Sequence, residues 1–156
     1  MKLATWNLML PVAARRREAI RRHTDREQAD VWVLTESHDG FSPGLPHFHS
    51  SAPGRDRRHG AEHRWVSIWA RYPLTPLATS DVERTATVRV LPESDVPFTV
   101  FGTVLPWFND VWRGHRAAGG VAFREAPAVQ AAEWCGFGPS IQAMSSFFSV
   151  TSTRTW

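Results

Sequence analysis

Two apolar runs with an intervening helical pattern constrain this chain more than any other feature. Leu3-Ala-Thr-Trp-Asn7 and, about thirty residues on, Val31-Trp-Val-Leu-Thr-Glu36 each read as a strand ending on an oxygen-bearing side chain. Lys2 to Leu8 alternates, whereas Asp30-Val-Trp-Val-Leu is apolar without a break, as expected of a strand covered on both faces. Between them, Pro11 stands where a helix can begin, and Ala13 to Gln28 carries Ile20 inward. Arg15, Arg16, Arg17, Arg21 and Arg22 fall mostly on the solvated side of that helix. Strand, helix, strand in so short a span predicts a βαβ opening with parallel pairing. Parallel pairing puts Asn7 and Glu36 at neighbouring strand ends. Two such side chains at the C-terminal edge of a sheet suit a hard divalent cation, with water and phosphate completing its shell.

Beyond Glu36 the pattern changes. Residues 38–63 are rich in Gly, Pro, Ser, Arg and His, which predicts a long loop with at most a short strand at His47 to Ser50. From Arg64 onward, β segments are expected at Trp65 to Ala70, Leu74 to Thr79, Thr85 to Leu91 and Phe98 to Leu105, punctuated by Pro73, Pro92 and Pro97. A helix is expected from Val121 to Trp134, after the Gly119-Gly120 turn. His47, His49, His59 and His63 lack the paired spacing of a zinc site and read as solvated loop residues. His38, two residues past Glu36, is retained as a candidate substrate contact.

The 156 residues suffice for one domain, and a 42% hydrophobic fraction with 8 Trp and 9 Phe marks a globular chain. No apolar run reaches membrane-spanning length, and the N-terminus opens on a strand, so the expectation is a soluble, cytoplasmic protein. The single Cys135 excludes an internal disulfide and reads as a small buried or incidental thiol. Of 18 basic residues only Lys2 is a lysine, a bias compatible with a phosphate-bearing partner and equally with a GC-rich genome. No segment points to an obligate protein partner.

Trp6-Asn7, Leu34-Thr35-Glu36, Ser67-Ile-Trp-Ala-Arg71-Tyr-Pro-Leu74 and Phe101-Gly-Thr-Val-Leu-Pro106-Trp, in that order, resemble the endonuclease/exonuclease/phosphatase superfamily. That family includes exonuclease III-like and deoxyribonuclease I-like nucleases, inositol-polyphosphate phosphatases and sphingomyelinases. The resemblance implies a four-layered α/β sandwich, here incomplete, and Mg²⁺- or Mn²⁺-dependent hydrolysis of a phosphate ester, with nucleic acid among the possible substrates. It further implies that Glu36 is the carboxylate ligand of the metal, that Asn7 orients metal or phosphate, and that Arg71 anchors a turn.

Two family motifs have no counterpart. A Gly-Asp-Phe-Asn segment after a later strand and an Asp-His pair near the C-terminus are absent from the chain, and Thr103-Val-Leu-Pro106 stands where many members carry Asn-x-His-Leu. The resemblance therefore covers residues 1 to 134 as the N-terminal part of one domain. Residues 135–156 are Ser- and Thr-dense without alternation. Val150 to Trp156 can be encoded GTG ACT TCA ACC AGG ACC TGG; read one base earlier, after a TCG codon for Ser149, this spells Gly-Asp-Phe-Asn-Gln-Asp-Leu. Residues 145–149 shifted likewise yield only Val, Leu, Ile or Phe. The expectation is a frameshift near Cys135, an out-of-frame tail, and a truncated, inactive hydrolase that leaves a sheet edge exposed and aggregates. The competing readings are a non-catalytic polyanion- or nucleic-acid-binding module and a decayed gene product.

Overall fold

A computed structural model describes residues 1–54, 60–93, 96–106, 111–112, 115–116 and 120–137. His59 and the proposed out-of-frame motif at 150–156 lie outside the described residues.

β1 (Leu3–Asn7) and β2 (Val31–His38) pair in parallel, Leu3 opposite Val31 through Asn7 opposite Thr35. Between them α1 (Ala14–Glu27) turns only Ile20 and Thr24 fully inward and stops at Gln28, whose left-handed backbone lets its N–H reach the Thr24 carbonyl. β2 then pairs antiparallel with β4 (His63–Ala70), and β3 (His47–Ser50) covers β4 on its other side, giving a four-stranded sheet in the order β1-β2-β4-β3. β5 (Leu74–Leu77), β6 (Thr85–Val90) and β7 (Phe98–Thr103) form a second, antiparallel sheet. A two-residue-per-strand hairpin, β8 (Val111–Trp112) with β9 (His115–Arg116), precedes α2 (Val121–Gly136).

Alternation along the strands assigns the faces. Val31, Val33, Val66, Ile68 and Ala70 of the first sheet pack on Ala86, Val88, Val90 and Val100 of the second. The opposite face of the first sheet, through Trp32 and Leu34, packs on Ile20 of α1 together with Leu8, Ala29 and Phe41. β2 is thus buried on both sides, as its unbroken apolar run requires. The outer face of the second sheet carries Phe101, whose ring meets Trp134 of α2 edge-on at 5.4 Å, and Ser80 Oγ donates to Glu133 of the same helix at 3.0 Å. The order of layers is α1, sheet, sheet, α2, an α/β arrangement with mixed and antiparallel pairing. Gly102 sets the sheet spacing. A Cβ there would lie 2.6 Å from Val66 Cγ1 and 3.0 Å from Val33 Cγ1.

Several expectations need correction. The histidines of 38–63 are not a solvated set: β3 pairs with β4, His49 is half-buried, and the His63 ring meets that of His38 at 5.4 Å. The arginines of α1 do lie mostly at the surface, Arg15, Arg16, Arg21 and Arg22 exposed, though Arg16 also donates to the Leu8 carbonyl at 3.0 Å and the half-buried Arg17 to the carbonyls of Pro11 and Val12. Cys135 is exposed, which removes the buried alternative of the two expected for it. The β8–β9 hairpin was not anticipated, since its strands are too short to show a period.

Candidate functional site

Parallel pairing brings the two strand ends together. Leu8 N–H donates to the Thr35 carbonyl at 2.9 Å and Leu10 N–H to the Glu36 carbonyl at 2.8 Å, so the chain leaving β1 is stitched to the end of β2. Asn7 Nδ2 then donates to Glu36 Oε1 at 3.0 Å, while Asn7 Oδ1 accepts the Met9 N–H at 2.8 Å. The Asx contact lets the chain turn at once: Met9 and Leu10 both take left-handed backbone, φ 52° and 49°. Arg16 and Arg17 close the turn from the first residues of α1.

Glu36 itself holds φ 50°, a left-handed conformation that costs a side-chain-bearing residue about 1–2 kcal/mol. It does so inside a strand whose register is undisturbed, Thr35 facing Val66 and Ser37 facing Arg64. The kink turns Glu36 to the partly exposed rim while Ser37 and His38 remain buried. Strain of this kind, held by structure on both sides, accumulates at functional positions.

The donor set is small. Among the described residues no three His, Cys, Asp or Glu side chains converge as a metal cage. Glu36 offers one carboxylate with Oε1 engaged by Asn7. Such a set fits Mg²⁺ in the mode where one or two carboxylates share the ion with water and phosphate, and does not fit a closed all-protein site.

His38 lies elsewhere in the same strand end. Its Nδ1 accepts the Gly40 N–H at 2.9 Å, which places its proton on Nε2, 3.1 Å from Glu62 Oε2. Asp39 beside it pairs with Arg64 and donates its N–H to the Glu62 carbonyl at 2.8 Å. A cavity of about 200 Å³, lined by Ser37, His38, Phe41, Phe48, Ser67 and Trp69, opens alongside. Both nitrogens of His38 are therefore engaged by its own neighbourhood. Asn7 and Glu36 meet; His38 belongs to an adjoining cluster. Arg71 bridges from the β4–β5 turn, Nε to Asp30 Oδ1 at 3.0 Å, the anchoring position expected of it.

Sequence reasoning missed Met9, whose N–H fixes the Asn7 amide, and Glu62, which fixes His38. Neither is legible in one dimension, since Met9 acts by its backbone and Glu62 is brought by the β2–β4 register.

No family model and no curated protein sequence matches the chain. Solved structures do. The endonuclease domain of TRAS1, a telomere-specific non-LTR retrotransposon, superposes with a TM-score of 0.56 at 12% identity, covering 90% of this chain and 57% of that one. An endonuclease/exonuclease/phosphatase from Beutenbergia cavernae DSM 12333 superposes with a TM-score of 0.58 at 18% identity, covering 85% of this chain and 42% of that one. The chain spans about half the length of these structures. With the four layers expected of it, the chain has the fold of the endonuclease/exonuclease/phosphatase proteins, an α/β sandwich of which it covers a part.

Proposed function

We propose that residues 1–134 are the N-terminal part of a divalent-metal-dependent phosphoester hydrolase of the nuclease-like phosphodiesterase type. The observation that carries this is Glu36, held in left-handed backbone at a strand end and tied to Asn7 across a parallel pair. In this reading Glu36 supplies the carboxylate for Mg²⁺ or Mn²⁺. Asn7 holds Oε1 of that carboxylate in place, and its own oxygen reaches metal or phosphate once the Met9 N–H yields it. When bound, the ion neutralises charge that develops on a phosphate oxygen during in-line attack by water. In this reading Asn7 and Glu36 position the ion and substrate, Glu36 being committed to the metal, and the base that takes the proton from water comes from another group. His38, with its proton on Nε2 and the cavity beside it, is placed to donate to a substrate oxygen if Glu62 releases it.

The motifs that would furnish that base, Gly-Asp-Phe-Asn and Asp-His, are absent from the sequence, and we assign the chain as given to an inactive form. Residues 135–156 are read as an out-of-frame tail. Nucleic acid is the favoured substrate class, supported by the likeness to a retrotransposon endonuclease domain. The polyanion-binding reading is the weaker one, because Arg16 and Arg17 each donate to backbone carbonyls and Arg21 pairs with Glu18 on the same helix.

Calorimetric titration of the full chain with Mn²⁺ tests the metal half. Weak binding, lost in Glu36→Gln while the thermal melt is kept, supports it; binding unchanged by Glu36→Gln refutes it. Turnover of a phosphodiester above the metal-only background would sink the inactive assignment. Codons for Ser149 to Thr155 that do not spell Gly-Asp-Phe-Asn in the other frame would sink the frameshift.

A further inference from the structure

α1 opens against its own dipole. Its first turn holds Arg15, Arg16 and Arg17 and no acidic residue, and Ala13 ahead of it offers no capping side chain. A cation at a helix N-terminus is disfavoured by on the order of 0.3–1 kcal/mol, so helix stability does not account for these arginines. Arg15 is exposed. Its two neighbours reach back along the chain: Arg16 Nη2 donates to the Leu8 carbonyl at 3.0 Å, and Arg17 Nη1 to the Pro11 carbonyl at 3.2 Å and to that of Val12.

Those carbonyls bracket the two residues most in need of holding. Met9 and Leu10 are consecutive and both left-handed, each at about 1–2 kcal/mol. Through them the turn meets the candidate site twice, the Met9 N–H fixing Asn7 Oδ1 and the Leu10 N–H holding the Glu36 carbonyl. Arg16 grips the chain before this pair and Arg17 after it. Arg17 also faces the turn beyond Glu36. A Cβ on Gly40 would lie 3.5 Å from Arg17 Nε and 3.1 Å from His38 Nδ1, so glycine there leaves room for the guanidinium beside His38. The half-buried Arg17 thus stands between the turn that follows β1 and the turn that follows β2.

We propose that Arg17, on the reading that Glu36 carries the metal, is a positioning residue for the Asn7–Glu36 pair. It holds the left-handed turn in the form that presents Asn7 to Glu36, with Arg16 as the second hold. A side chain that orients a ligand without touching the ion is worth about 10–100-fold in metal affinity. Charge alone predicts the opposite sign. Arg17 is a fixed cation at the same edge of the sheet, and removing it lessens the repulsion felt by a divalent ion. Loss of positioning weakens binding of the ion, whereas loss of charge tightens it.

Calorimetric titration of the full chain with Mn²⁺ tests this in wild type, Arg17→Met and Arg15→Met. Both variants lose one cation from the same helical turn, and only the first loses contacts to residues 11 and 12. Arg17→Met weakens Mn²⁺ binding about tenfold, while Arg15→Met leaves it unchanged or tightens it. Arg17→Lys keeps the charge and the stem but exchanges the planar fork for a compact head, and falls between wild type and Arg17→Met. A purely structural role would lower Tm and leave the folded site as it was, so the second readout is the Asn7 side-chain amide by NMR, without metal and well below the melt. In wild type the proton bonded to Glu36 lies downfield, and in Arg17→Met it returns toward the position of a free amide. Mn²⁺ affinity that is unchanged or tighter in Arg17→Met while Glu36→Gln abolishes it overturns the proposal, and so does an unchanged Asn7 amide. If wild type binds Mn²⁺ no better than Glu36→Gln does, the metal reading fails instead, and the amide alone decides the role of Arg17.

Discussion

Asn7 and Glu36 join side chain to side chain across a parallel strand pair, Nδ2 to Oε1 at 3.0 Å, and Glu36 departs from strand backbone to make that contact. An exposed hydrogen bond of this kind contributes on the order of 1 kcal/mol, no more than the left-handed backbone costs. Stability is thus exchanged for the placement of one carboxylate.

Replacing Glu36 by glycine separates those two contributions. Glycine takes φ 50° without penalty, so Glu36→Gly is expected to leave stability unchanged or raise it by up to about 1 kcal/mol, a rise of a few degrees in Tm. A thermal melt with and without Mg²⁺ measures both effects. A clear fall in Tm in the absence of metal would show that Glu36 is there for structure.

Asn7→Asp makes the opposite change. It removes the donor and sets a second carboxylate about 3 Å from Glu36, a repulsion on the order of 1 kcal/mol for solvated charges. The variant is expected to melt lower than wild type without metal and to gain more from Mg²⁺ or Mn²⁺, because two carboxylates hold the ion better than one. Equal metal-induced shifts in the two proteins would count against an ion at this position.

The β1–α1–β2 opening was legible because each segment carries its own period, and the parallel pairing that sets Asn7 beside Glu36 followed from the length of the crossover. The β3 strand at His47–Ser50 was also readable, as were the starts of β5, β6 and β7. The kink at Glu36 was not, since nothing in Leu34-Thr35-Glu36-Ser37 signals left-handed backbone; the geometry is imposed by Asn7 and by the Leu10 contact. The reach of Arg16 and Arg17 to the carbonyls of residues 8–12 escaped notice for a similar reason. Helical periodicity locates a side chain on a face, but which carbonyls lie within reach depends on the path of residues 8–12.

Gly102 is where the two sheets come closest. Gly102→Ala would press a methyl against Val66 and Val33, both core residues, and is expected to cost about 1–3 kcal/mol in urea unfolding. Val66→Ala removes the nearest atom, so the double variant Gly102→Ala/Val66→Ala should lose less than the sum of the single losses. Strict additivity would mean the sheets separate locally instead of clashing.

Acidification should weaken the fold in two stages. Burial holds the His49 imidazole below its usual pKa. The Lys2 backbone N–H, and then the Arg71 guanidinium, hold the Asp30 carboxyl below the usual carboxylate range. Both groups have folded pKa values below their unfolded ones, so each contributes stability that is complete above the unfolded pKa and is lost as pH falls through the folded value. For His49 the loss begins below about pH 6.5, and for Asp30 below about pH 4. Urea midpoints at about pH 7.5, 5.5 and 3.5 resolve the stages. His49→Gln is expected to flatten the upper interval and Asp30→Asn the lower one, each leaving the other slope in place. If His49→Gln keeps the wild-type slope between the two higher values, the imidazole is not the group that fails first, and the β3–β4 pairing that half-buries it is looser than its register implies.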